Sequence, residues 1–162
     1  MVTRFLIFCT LSFSCIGCSS PPPTSTRVTI GNEVYTLELA IDLPSRAKGL
    51  MHQTTIANGE GMLFVFTDAS ARSFWMKNCL IPIDLLFLDS RGTITALHTM
   101  EPEPPKNEEE SVFEYEARLS HYWSNGPARF AIELQAGEIE RLGLSVNDRI
   151  ALDTAKLRSI AR

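Results

Sequence analysis

The sequence predicts a β-rich α+β domain built from short, mostly antiparallel strands with two short helices. Three observations carry this. Two apolar runs, Met62–Phe66 and Leu80–Leu88, are short and continuous, the pattern of strands buried on both faces. The stretch Glu33–Ile41 instead alternates, with Tyr35, Leu37, Leu39 and Ile41 in step, as in a half-buried strand. Only two segments change to a helical period, 43–51 and 136–142, and each is short. A small, partly closed barrel is one arrangement of such strands that limits exposed sheet edges.

A chain of 162 residues supports one domain once its amino-terminal segment is set aside. A domain of roughly 140 residues buries about two thirds of its unfolded surface, so it needs no disulfide or metal staple. The net charge of −4 provides no basic stripe and argues against a nucleic-acid partner.

Residues 1–17 have the form of an export signal. Arg4 gives a positive start, and Phe5–Phe13 is an apolar stretch too short to span a bilayer. Cys15-Ile16-Gly17-Cys18 resembles a bacterial lipoprotein signal, with Cys18 as the lipidated first residue of the mature chain. Cys15 stands where that motif usually has Leu. The alternatives are an ordinary cleaved signal and an uncleaved anchor. Residues 18–26 form a Ser/Pro-rich tether, a semi-rigid spacer that would hold a domain off a membrane. Ser19 beside the lipidated cysteine resembles the pattern that releases lipoproteins from an inner membrane. The expectation is a lipid-anchored protein of the cell envelope facing the periplasm or the exterior, at the outer membrane in a source with two membranes.

Within 27–154, Val28–Ile30, Gly31-Asn32 and Glu33–Ile41 read as a β-hairpin whose turn takes positive φ. Pro44 suits a first helical turn, with the helix breaking near Gly49. The residues then suggest a strand over Gly61–Phe66, a turn over Thr67–Arg72, and strands over Ser73–Asn78, Ile83–Leu88 and Thr93–Met100. On the last, Ile94, Ala96, His98 and Met100 share a face. The acidic, Pro-rich insertion near 101–125 opens with a run that cannot be assigned packed structure. Its Phe113, Tyr115, Tyr122 and Trp123 then suggest a helix, strand or flap across the site. Pro127–Leu134 reads as a strand with Phe130, Ile132 and Leu134 facing the core. A short helix follows, capped at Gly143, then a last strand ending near Leu152 and a frayed basic tail over 155–162.

The candidate site is the block Phe74-Trp75-Met76-Lys77-Asn78 with Asp84. If the block is extended, Trp75 and Lys77 share one face and Phe74, Met76 and Asn78 the other. A lysine among apolar residues must snorkel to water or meet an acid. Asp84, set in an apolar strand, either pairs with Lys77 or accepts hydrogen bonds from the backbone and Asn78. The functional reading is a groove of Trp75, Met76, Lys77, Asn78 and Asp84, with Met51 from the first helix, for a small polar or anionic ligand or a protein partner. A hydrolase or transferase using Lys77 and Asp84 is the alternative. A further one is envelope Cu(I) binding through Met51-His52 and His98-x-Met100. No cofactor is called for. Cys79, the one cysteine beyond the signal and Cys18, reads as a small buried hydrophobe or as a nucleophile.

Three blocks, LPSRAKGLM at 43–51, GMLFVF at 61–66 with FWMKNCLIPIDLLFLD at 74–89, and PARFAIELQAG at 127–137 with LGLSVNDRIAL at 142–152, together resemble the domain-of-unknown-function 192 family. The resemblance runs from about residue 28 to residue 153. It implies a compact β-rich domain, often exported, and brings no established activity. Cys79 stands where the family usually has Thr, and the segment between Met100 and Gly126 is longer and more acidic than usual.

Overall fold

The computed structural model describes residues 21–162. The signal and Cys18 lie outside them. Strands β1 (Ser25–Ile30), β2 (Glu33–Ala40), β3 (Glu60–Phe74), β4 (Ile83–Leu88), β5 (Ile94–Met100) and β6 (Tyr122–Gln135) form one six-stranded sheet in the order β1-β2-β3-β6-β4-β5. Four of the five pairings are antiparallel, and β2–β3 is parallel. The sheet is open rather than a barrel, with β1 and β5 as its edges.

The parallel pairing follows from α1 (Leu43–Lys48), which reverses the chain after β2. Asp42 caps this helix: its carboxylate accepts from the Ser45 N–H at 2.9 Å, and Pro44 occupies the first turn. Gly31 at φ 59° makes the β1–β2 turn, which closes on the pair Ile30–Glu33.

Both faces of the sheet are covered. One carries Leu37, Leu63, Leu86, Phe130, Ile132 and Leu134, with Ile139, Leu142 and Ile160 packed on them. The other carries Phe64, Phe66, Leu85, Phe87 and Ala131, with Leu50, Met76 and Cys79. Strand β6 lies between β3 and β4, and its Phe130–Leu134 stretch is buried on both faces, while Trp123, Asn125 and Pro127 near its start are exposed. Gly61 is required where β3 meets β6, because a Cβ there would lie 2.4 Å from the Glu133 carbonyl oxygen.

Several local expectations change. Thr67–Arg72 is not a turn: β3 runs on to Phe74, bending through register shifts between Val65 and Ser70 and between Ala71 and Ser73. Trp75–Asn78 is therefore not a strand but the loop and turn that leave β3. Ile94 faces the opposite side from Ala96 and Met100, because a bulge lies opposite Phe87 and Leu88. The last strand reduces to a single bridge, Thr93–Arg149. Among the described residues the helices number four, with α2 (Val112–Arg118), α3 (Glu138–Arg141) and α4 (Thr154–Ile160) following α1. The carboxyl-terminal tail is not frayed. It is α4, which buries Leu157 and ends with the Arg162 N–H donating to Ile41 O at 2.8 Å. Among the described residues no helix is long and apolar enough to cross a membrane.

Candidate functional site

A cleft of about 280 Å³ opens between the carboxyl-terminal turn of α1 and the end of β3. Arg46, Lys48, Gly49 and Met51 form one wall. Phe64, Phe66, Phe74 and Trp75 form the other, with Lys77, Cys79 and Glu133 completing it. The aromatic wall is fixed by edge-on packing. The Phe74 ring lies 4.8 Å from Phe64 and 5.3 Å from Phe87, both near perpendicular.

Of the residues expected at the site, Trp75, Lys77 and Met51 line this cleft. Lys77 Nζ lies 5.5 Å from the Trp75 ring centroid, within cation–π reach. Its carboxylate partner is Glu116 of α2. Helix α2 is set by a capping box between Ser111 and Glu114. It also delivers Tyr115, whose hydroxyl accepts from the Asn78 N–H at 3.1 Å. The acidic insertion thus packs on the site through one short helix. Asn78 adopts φ 54°, and its carbonyl accepts from the His52 N–H at 2.9 Å. Its place is to shape the turn. Met76 is 1% exposed and belongs to the core.

Asp84 is not part of the cleft. Its partners are Thr99 Oγ1, donating at 2.7 Å, and the Ile139 N–H of α3, donating at 2.7 Å. In register it stands beside Leu134, on the far side of the sheet. Lys77 and Asp84 therefore do not pair, and Asp84 caps the entry to α3. His98 and Met100 also part company. Met100 is buried, and His98 Nε2 lies 2.8 Å from Trp123 O. Among the described residues no group of three or more His, Cys, Asp or Glu is placed to hold a metal ion.

The carboxylate that does reach the cleft is Glu133 of β6. It is 5% exposed, and its Oε2 has no hydrogen-bond partner. Burial pushes its pKa up to about 8, against the opposing effect of the Leu50 N–H. Desolvation penalises the charged form, so an unpaired buried carboxyl holds its proton into the neutral range. Cys79 beside it is also shifted up, to about 12, by burial and by repulsion from Glu133. That thiol is not activated as a nucleophile.

The Glu133 site escaped sequence reasoning because its strand seemed to need only one buried face, that of Phe130, Ile132 and Leu134. Part of the signal was present in the neighbouring runs. Strands β3 and β4 read as buried on both sides, but that β6 runs between them is shown only by the structure.

No curated protein matches the sequence. Two solved structures share the fold. One, called a candidate transcription regulator, is from Sinorhizobium meliloti 1021. It is 34% identical over 77% of this chain and 89% of that one, with a TM-score of 0.61. The other, a protein of unknown function from Novosphingobium aromaticivorans DSM 12444, is 24% identical over 79% of this chain and 84% of that one, also with a TM-score of 0.61. The sequence matches the family model DUF192, described as Uncharacterized ACR, over residues 26–152.

Proposed function

Since the chain belongs to the DUF192 family, whose description assigns no activity, we propose from its own residues that it is an exported, lipid-tethered domain binding a small polar ligand in the Trp75–Lys77 cleft. The observation that carries this is Lys77 held over Trp75 at the edge of an aromatic-walled cleft. Apolar walls with a few converging polar groups are the usual composition of small-ligand sites, and about 280 Å³ suits a ligand at the small end of the range.

The tether reading rests on Arg4, the apolar stretch Phe5–Phe13, Cys18 and the Pro-rich spacer that precedes β1. A lipid on Cys18 would make the membrane a partner through its anchor alone. The net charge of −4 favours a small molecule or protein over nucleic acid.

The test is a thermal-shift screen of the purified protein against envelope metabolites, sugars, peptides and metal ions, with Lys77→Ala alongside. A compound that raises the melting temperature of the wild type and not of the variant supports the cleft. A screen in which every stabilising compound acts equally on both overturns it. Fractionation of Cys18→Ala tests the anchor. Wild-type protein in the membrane fraction and the variant outside it is the expected result.

A further inference from the structure

The charged groups of the cleft are arranged by depth. Arg46, Lys48 and Lys77 line its outer part. Arg46 donates to two main-chain carbonyls, Val65 O and Arg162 O, both at 2.9 Å. Among the described residues neither Arg46 nor Lys48 makes an ion pair. Deeper, the one acid lining the cleft is Glu133, nine-tenths buried, with Oε2 unpartnered. Gly49 packs against that buried oxygen without a side chain of its own: a Cβ there would stand 3.6 Å from Oε2 and 3.4 Å from the Phe64 ring.

A buried carboxyl oxygen without a partner is costly to leave unmet. Glu133 lines the cleft, so a ligand there can bring a donor to this side chain once it shifts to expose Oε2. Cations without acid partners at the mouth attract a negative group. An acid on the floor accepts a donor. Between them Phe64 and Phe66 offer an apolar surface.

Resting on the small-ligand reading above, we propose that the ligand is a small zwitterion of the amino-acid type. Its ammonium donates to Glu133, its carboxylate faces Arg46 and Lys48, and its side chain lies on the aromatic wall. Glu133 gives up its proton to solvent when the ammonium arrives, so binding releases one proton below the pKa of that carboxyl. The titratable groups that line the cleft with Glu133 are Cys79, whose thiol is pushed up by burial and by Glu133, and Arg46, Lys48 and Lys77. The parallel Glu133→Gln titration assigns the released proton.

The experiment is calorimetric titration of the full protein with leucine and phenylalanine, and with their des-amino analogues 4-methylpentanoate and 3-phenylpropanoate. Each runs in two buffers of different ionisation heat, with Glu133→Gln in parallel. Expected is binding of at least one amino acid with release of close to one proton at pH 7, and an affinity that rises about tenfold from pH 6 to pH 7. The des-amino analogue should bind at least tenfold more weakly. In Glu133→Gln, which keeps the shape of the side chain, proton release should disappear. Proton uptake, equal binding of the des-amino analogue, or no binding of either amino acid overturns the proposal. In each case a Lys77-dependent hit in the wider screen would leave the small-ligand reading standing, and its absence would remove both.

Discussion

Glu133 and Asp84 are neighbours across the β6–β4 ladder, offset by one position, and they point to opposite faces of the sheet. Asp84 stands opposite Leu134, and Glu133 opposite Leu85. Both are buried acids, at 0% and 5% exposure. They differ in satisfaction. Each Asp84 oxygen receives a donor, whereas Glu133 Oε2 receives none. That difference separates a structural acid from one available to a ligand.

Asp84→Ala should therefore destabilise without touching the cleft. It leaves the Ile139 N–H buried without its acceptor and removes the Thr99 contact. A loss of about 1.5–3 kcal/mol is expected, the scale of a hydrogen bond to a charged group. Urea unfolding would measure it, with ligand affinity unchanged in the folded protein.

Glu133 makes stability depend on pH in a set direction. Its folded pKa, about 8, lies above its ordinary 4.5. Between those values the unfolded chain has lost the proton and the folded one keeps it. Stability from this group is therefore fully present below about pH 4.5, falls as pH rises, and levels off above about 8. Melting temperature followed across that window should decline in the wild type, and Glu133→Gln should remove this part of the decline. An identical profile in the two proteins would show that Glu133 does not hold its proton.

Much of the fold was legible. The Gly31 hairpin, the Pro44 helix start and the twofold burial of β3 and β4 follow from local patterns. Of the residues read from the sequence as a groove, Trp75, Lys77 and Met51 line the cleft; the block drew notice because Lys77, Asn78 and Asp84 sit badly in a plain core. What was not legible depends on sheet order. Nothing local to Asp84 tells which side of β4 faces the cleft. Nothing in PARFAIEL says that β6 is a central strand or that Gly49 and Leu50 cover its Glu133 face. The bend that carries β3 through Thr67–Arg72 is likewise a property of its pairing with β6, while those residues alone resemble a turn.

Lys77→Ala should cost little in stability. Its ion pair with Glu116 is partly exposed, with side chains 23% and 34% accessible, and such pairs contribute up to about 1 kcal/mol. Chemical denaturation should place the variant within that margin. A much larger loss would assign Lys77 a structural role.

Gly49→Ala tests the approach to Glu133. Gly49 has φ 49° and ψ −138°, a region nearly closed to residues with a Cβ. The backbone strain should be about 1–3 kcal/mol, read as a lowered denaturation midpoint. The added methyl, against Phe64 and Oε2, should also weaken ligand binding more than it shifts the fold.

Cys79 should be slow to alkylate. With its pKa raised to about 12 and its side chain buried, little thiolate exists at pH 8. Iodoacetamide labelling followed by mass spectrometry should be at least a hundredfold slower in the native protein than in denaturant. Equal rates would place the thiol at the surface.

Helix α2 has a consequence for how such domains diverge. It arises within the connection between β5 and β6, outside every strand pairing of the sheet, yet it supplies Glu116 to Lys77 and Tyr115 to Asn78. Connections of this kind tolerate changes of length far better than strands do. A sister chain with a shorter connection would keep the sheet, Trp75 and Glu133 while leaving its lysine without this acid partner. Selectivity can thus drift through one loop while the scaffold stays fixed.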